Sequence, residues 1–146
     1  MKIYLDVCCL NRPFDDHTQD KIRLESEAII TILSHISEKK WEMIGSDIID
    51  FEISQIPDPD RMKKVLQLVN LKAEKVTLTD NVVNRSKKIQ EYTIKLLDAL
   101  HLACAEEGKA EVFLTTDQYL IKKSTKNLEK IKVKVKNPLN WIMEVI

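Results

Sequence analysis

Leu96-Leu97-Asp98-Ala99-Leu100-His101-Leu102-Ala103-Cys104-Ala105, followed after Gly108 by Glu111-Val112-Phe113-Leu114-Thr115-Thr116-Asp117, places a helix signal directly before a strand signal. The first ten residues are apolar almost all round, Asp98 and His101 excepted, which predicts a buried helix. Gly108 stands where such a helix ends. Glu111 to Leu114 then reads as a short strand running into Thr115-Thr116-Asp117.

The same alternation extends in both directions. Lys2 to Leu5 is a short apolar-rich strand ending at Asp6, and Asn11-Arg12-Pro13-Phe14-Asp15-Asp16 reads as a loop. From Gln19 to Lys40, Ile22, Ile29, Leu33 and Ile36 recur near helical spacing with charges on the other faces. Trp41 to Gly45 follows as a strand, Ser46 caps a helix through Ile56, and Pro57-Asp58-Pro59 stops it and starts another. A strand over Lys75 to Leu78, a helix from Thr79 or Asp80 to Tyr92, a short helix after Asp117 and a Lys-rich strand over Ile131 to Lys136 complete the chain. Strands alternating with helices predict βαβ units, hence an α/β fold: a three-layer α/β/α sandwich around a mostly parallel sheet. Ligands in such sheets bind at the carboxyl ends of the strands.

With 146 residues and no Gly/Ser/Pro-rich linker, the chain is expected to form one domain over residues 1–146. At 44% hydrophobic and 32% charged, it can bury a core, and with 5% aromatics that core is aliphatic. No apolar run is long enough to cross a bilayer. Cys8, Cys9 and Cys104 lack the paired spacing of a zinc site, so buried, unbridged thiols and a cytoplasmic location are expected. The net charge of zero divides unevenly: residues 1–60 carry 6 Lys/Arg against 13 Asp/Glu, and residues 61–146 carry 17 against 10. That excludes a globally basic nucleic-acid binder but leaves room for a local basic surface. Lys122 to Lys136 holds seven lysines opposed only by Glu129. These either contact phosphates or, alternating with β-branched residues, protect a strand edge.

Four carboxylates stand out. Asp6 and Asp117 each fall at the end of a predicted strand, where they can face one crevice. Glu52 lies four residues after Ile48 and four before Ile56, in line with an apolar stripe, and Asp98 opens an otherwise apolar helix. Taken singly, a strand-end Asp is a turn or capping residue, and Asp98 complements a helix dipole. Taken together, like charges raise one another's pKa or demand a cation. No Arg or Lys within these motifs supplies it. A hard divalent cation, Mg²⁺ or Mn²⁺, does, and the chemistry it supports is activation of water for in-line attack on a phosphodiester.

Ile3-Tyr4-Leu5-Asp6, the Glu52 helix, Leu97-Asp98-Ala99-Leu100-His101-Leu102-Ala103 and Leu114-Thr115-Thr116-Asp117 together resemble the PIN-domain family, which includes the VapC-type toxins of toxin–antitoxin pairs. The resemblance covers nearly the whole chain. It implies a Mg²⁺- or Mn²⁺-dependent endoribonuclease in which Asp6, Glu52, Asp98 and Asp117 are the catalytic, metal-holding acids and Thr115 orients a ligand or water. It also implies single-stranded or looped RNA as substrate, and either a small antitoxin partner or a stand-alone role. Homodimers occur in the family, and Trp141-Ile142-Met143 either contributes to such an interface or covers the sheet. Two departures bear on metal affinity and rate: Val7 replaces a common Thr or Ser, and Gln118 and Tyr119 stand where some members carry another acid.

Asn11 and Arg12, close after Asp6, are candidates for substrate contact, with an ordinary turn as the plainer reading. His101 sits three residues after Asp98 and invites a general-base role, but a packed histidine hydrogen-bonded within a helix interface is preferred. Trp41 and Trp141 are read as packing residues. The competing functions are a PIN-fold scaffold that binds without cutting, and an aspartyl-phosphate protein, for which the second Asp of a D-x-D motif is missing after Asp6.

Overall fold

The computed structural model describes residues 1–146. β1 (Lys2–Leu5), β2 (Glu42–Ser46), β3 (Glu74–Val76), β4 (Val112–Leu114) and β5 (Lys134–Lys136) form one sheet in the order β3-β2-β1-β4-β5 with every neighbouring pair parallel. Around it lie α1 (Val7–Asn11), α2 (Asp20–Ser37), α3 (Asp47–Ser54), α4 (Pro59–Val69), α5 (Asp80–Gln90), α6 (Leu96–Glu107), α7 (Gln118–Lys126) and α8 (Pro138–Val145). This is the three-layer α/β/α architecture that the alternation predicts. A parallel sheet is covered on both faces, so its central strands are apolar throughout rather than alternating. Ile3, Tyr4 and Leu5 of β1 and Phe113 and Leu114 of β4 are fully buried.

The order of the strands places the crevice. From β1 the chain moves outward to β2 and β3, then returns through α5 and α6 to add β4 on the other flank of β1. Strand order therefore reverses between β1 and β4, with Leu5 in register with Leu114, and the segments leaving the two strands diverge at one place.

Local chemistry accounts for most boundaries. The Ser46 hydroxyl accepts from the Ile49 N–H and starts α3, Asp58 caps α4 with Pro59 in its first turn, and the Thr79 hydroxyl accepts from Val82 N–H at the head of α5. Gly108 does follow α6, but its φ of −76° is one any residue adopts, and Lys109 takes the left-handed turn instead. The glycine serves packing: a Cβ there would lie 2.8 Å from Ile44 Cγ2 and 3.0 Å from Val76 Cγ2. Trp41 and Trp141, a hundred residues apart, meet edge to face at 5.1 Å, Trp141 buried and Trp41 partly buried against the core, and Met143 stays exposed. All three cysteines are unbridged.

The structure corrects several expectations. Residues 11–16 are not simply a loop: α1 runs to Asn11 and a 3-10 turn spans Arg12–Phe14, with Pro13 inside its first turn, where a missing N–H leaves no bond unmade. α2 stops at Ser37 rather than Lys40, because Lys39 adopts a left-handed conformation and the Lys40 N–H folds back to His35 O. In the Lys-rich run only Lys134–Lys136 pairs with β4, at the sheet edge. Leu96 and Leu97 are exposed, so α6 is buried only from Ala99 onward.

The charges of α2 are not all on its outer faces either. Glu25 is 1% exposed. Its carboxylate is held by the Arg12 guanidinium at 3.1 Å and accepts from Asn137 Nδ2 at 2.6 Å. Arg12 also pairs with Asp15, which Arg61 reaches at 2.6 Å, and Asn11 Oδ1 accepts from the same Arg61. Asn11 and Arg12 thus belong to a network tying the start of the chain to α2, α4 and α8. Removing one partner of a buried ion pair leaves an uncompensated charge, which typically costs about 3–5 kcal/mol. Arg12→Met is expected to lower stability by roughly that amount in urea unfolding, and a loss well below about 1 kcal/mol would show that the pair carries little.

Candidate active site

Asp6 comes directly after the last residue of β1 and is 7% exposed. Its backbone N–H donates to Leu114 O, so it is fastened to the end of β4 before its side chain makes any contact. Oδ1 accepts from the Val7 N–H at 2.8 Å and begins α1, while Oδ2 accepts from the Thr115 hydroxyl at 2.8 Å. Thr115, fully buried at the exit of β4, also accepts from the Asp117 N–H at 3.1 Å. One hydroxyl therefore sets the relative positions of the two strand-end acids. Asp117 in turn caps α7, its Oδ1 accepting from the N–H groups of Tyr119 and Leu120.

Glu52 reaches the crevice from α3. Its Oε1 lies 2.6 Å from His101 Nε2, and His101 Nδ1 lies 2.6 Å from the Tyr4 hydroxyl, which is 2.7 Å from Ser46 Oγ. With the proton on Nε2, His101 donates to Glu52 and accepts from Tyr4, and Tyr4 accepts from Ser46, whose oxygen meanwhile caps α3. Tyr4 and His101 are both fully buried. Burial drives the Tyr4 phenol well above its ordinary range, so it stays a donor. Sequence reasoning left His101 outside the set of acids. The structure connects it to the site as the group that aims Glu52, and its spacing of three residues from Asp98 was the only local hint.

Asp6, Glu52 and His101 each offer a ligand atom within 4.8 Å of the others. Both nitrogens of His101 are already engaged with Glu52 and Tyr4, so the donors left free for an ion are carboxylate oxygens. Asp98 stands in the first turn of α6. Of the four acids singled out in the sequence, Asp6 and Glu52 come together beside His101, while Asp98 and Asp117 lie outside that close group, with Asp98 still near enough to feel the charges of the other three. Burial raises the Asp6 carboxyl above the ordinary aspartate range; His101 and the Thr115 hydroxyl pull it back, and Glu52 adds to the rise. The Asp98 carboxyl is pushed up to about 6, first by burial, then by the Asp6 and Asp117 charges. Such a set, all hard oxygens and mutually repelling, fits a divalent cation.

Residues 3–126 match the family model described as PIN domain. No curated protein matches the sequence. Among solved structures, the crystal structure of VapBC2 from Rickettsia felis bound to a DNA fragment from their promoter is similar, with a TM-score of 0.60 and 12% sequence identity, over 94% of this chain and 98% of that chain. At that identity the likeness speaks for the fold.

The raised Asp98 value makes stability depend on pH in a definite direction. An acid whose folded pKa lies above its unfolded one binds more protons in the folded state, so its contribution is most favourable below the unfolded value of 3.8 and is lost as pH rises through about 6. In EDTA, Asp98→Asn should therefore melt at a higher temperature than the wild type above about pH 7, and the gap should close as pH falls from about 6 to 4. A pH-independent gap in calorimetry would contradict this electrostatic origin.

Proposed function

This chain belongs to the PIN domain family, a family of nucleases, and from that premise we propose that it is a Mg²⁺- or Mn²⁺-dependent endoribonuclease cutting single-stranded or looped RNA. On this reading residues 1–146 form one nuclease domain. The observation that carries the proposal is the meeting of Asp6 and Glu52 where strand order reverses, with Asp98 near enough to feel their charges and that of Asp117, and with no lysine or arginine paired to any of the four. Those four carboxylates are the residues that would hold the ion. When bound, it supplies positive charge for the developing phosphorane oxygens and lowers the pKa of an attacking water.

The chain's own residues prepare for that role. Thr115 fixes Asp6 and, through the Asp117 N–H, the head of α7, so two acids keep their separation without relying on an ion. His101 holds one oxygen of Glu52 and leaves the other without a hydrogen-bond partner, as outer groups commonly do around metal-holding carboxylates. None of the four side chains is needed as a covalent nucleophile. RNA in place of DNA, and a small antitoxin as a partner that covers the crevice, are proposed from the resemblance to VapC-type proteins; the solved structure that shares the fold is itself a VapBC2 complex, which supports the partner and leaves the choice of RNA to the resemblance.

End-labelled structured and unstructured RNAs, with DNA of the same sequences alongside, incubated with Mn²⁺, Mg²⁺ or EDTA provide the test. Metal-dependent cutting of RNA is expected, reduced roughly a hundredfold or more in Asp98→Asn. Cutting that persists in EDTA would remove the metal from the account, and cutting that persists in Asp98→Asn would remove the site. No cutting of any substrate by the wild type would favour a binding scaffold.

A further inference from the structure

Four carboxylates in one crevice repel a polyanion, and an ion bound among them offsets only part of that repulsion. An RNA strand lying across the site therefore requires positive charge and a contact surface on the crevice rim. Tyr119 stands there. Its N–H donates to Asp117 Oδ1 at 2.9 Å, its ring is half exposed, and its hydroxyl donates to Thr93 O at 3.4 Å across the gap to the segment that enters α6. The ring thus spans the two elements that carry Asp117 and Asp98.

Two lysines converge on that ring. Lys95 Nζ, from the residue that caps α6, lies 5.9 Å from the ring centroid, and Lys123 Nζ, one turn along α7, lies 5.4 Å from it. Neither ammonium has a carboxylate within ion-pair distance, although nine other basic side chains of the chain do. Two unpaired like charges are held instead by the quadrupole of one aromatic ring, an exposed arrangement and a weak one. Base stacking on an aromatic ring is stronger than an exposed cation–π contact. A nucleobase can accordingly displace the ammoniums from the ring, and the neighbouring phosphates are where the freed charges are best placed.

We infer that Tyr119, Lys95 and Lys123 form a binding cradle for single-stranded RNA beside the acidic crevice: the ring stacks a nucleobase flanking the scissile phosphate, and the lysines take the adjacent backbone phosphates. The inference rests on the ribonuclease reading above. It gives Tyr119 a use at the position where some relatives carry a further acid. It also separates two contributions: stacking is independent of salt, whereas each phosphate contact releases counterions.

Binding of a fluorescein-labelled single-stranded RNA oligonucleotide to the full chain in EDTA, followed by anisotropy across a KCl series, tests it. RNA integrity is checked on a gel. Tyr119→Leu should raise Kd roughly tenfold at every salt concentration without changing the slope of log Kd against log salt, and Tyr119→Phe, which keeps the ring, should stay within about twofold of the wild type. The double variant Lys95→Gln, Lys123→Gln should reduce that slope by about 1.4, while Lys109→Gln, at the opposite end of α6, should leave it unchanged. If Tyr119→Phe fails as badly as Tyr119→Leu, stacking is overturned in favour of the Thr93 hydrogen bond. If the wild type binds RNA and cuts it with Mn²⁺ while Tyr119→Leu and the double lysine variant bind as it does, the cradle is wrong and the nuclease reading stands. If the wild type binds no RNA in EDTA yet cuts it with Mn²⁺, the cradle falls and the nuclease reading stands; if it neither binds nor cuts RNA, both fall.

Discussion

Because β1 and β4 pair in parallel, with Leu5 opposite Leu114, their chains leave the sheet side by side and in the same direction, and the residues that come next on each must share one space. On β1 the next residue is Asp6; on β4 it is Thr115, with Asp117 two positions beyond. Asp6 and Thr115 are thereby brought side by side by backbone hydrogen bonding, including the Asp6 N–H to Leu114 O bond that continues the ladder past the last residue of β1, and the Thr115 hydroxyl then ties Asp117 to Asp6. The remaining features of the site arise from accommodating that charge: a hydroxyl placed between the two acids, helix starts that use their oxygens, and a third and fourth carboxylate delivered by α3 and α6. The sheet supplies the proximity and its burial of apolar side chains supplies the energy that maintains it.

Behind the crevice the core is not wholly apolar. Ser46, Tyr4, His101 and Glu52 make a line of hydrogen bonds that starts at the head of α3, crosses β1 and α6 and returns to α3. Every member is satisfied, which is the condition under which a buried polar line rigidifies a site instead of weakening it. The tyrosine ring stacks on Phe113 at 5.1 Å, so the line is also clamped from the β4 side. Glu52 consequently owes its orientation to residues on three other elements, and a change at any of them acts on the site from a distance.

The acids were readable in the sequence because each violates a local pattern: Asp6 and Asp117 end apolar strands, Glu52 interrupts an apolar stripe, and Asp98 opens an apolar helix. Their shared location was readable only through the alternation of strands and helices, which fixes which strand ends can be neighbours. The Tyr4–His101 contact lay beyond that reach, since its partners are 97 residues apart and no periodicity joins them. Residues 11–16 misled for a similar reason. Charges with a proline resemble a turn, and nothing nearby in sequence reveals that Arg12 faces the buried Glu25. Gly108 looked like a conformational stop, but the need for glycine there comes from Ile44 and Val76, residues that pattern reading cannot bring to it. Element types came from local chemistry; the roles of single residues came from distant partners.

The central position of β1 has a consequence for the order in which the molecule comes into being. The earliest strand of this sheet to be synthesised sits in its middle, and its β4 neighbour is made more than a hundred residues later. At synthesis rates of about 5–20 residues per second, Asp6 waits several seconds or more for Thr115 and Asp117. No partial chain ending before them can assemble the crevice, so a nascent fragment is inert however much of it has folded. The contacts that close the sheet are also among the most non-local in the chain, and contacts of that kind slow folding. The topology itself thus delays assembly of the crevice until both of the strands that frame it have been made.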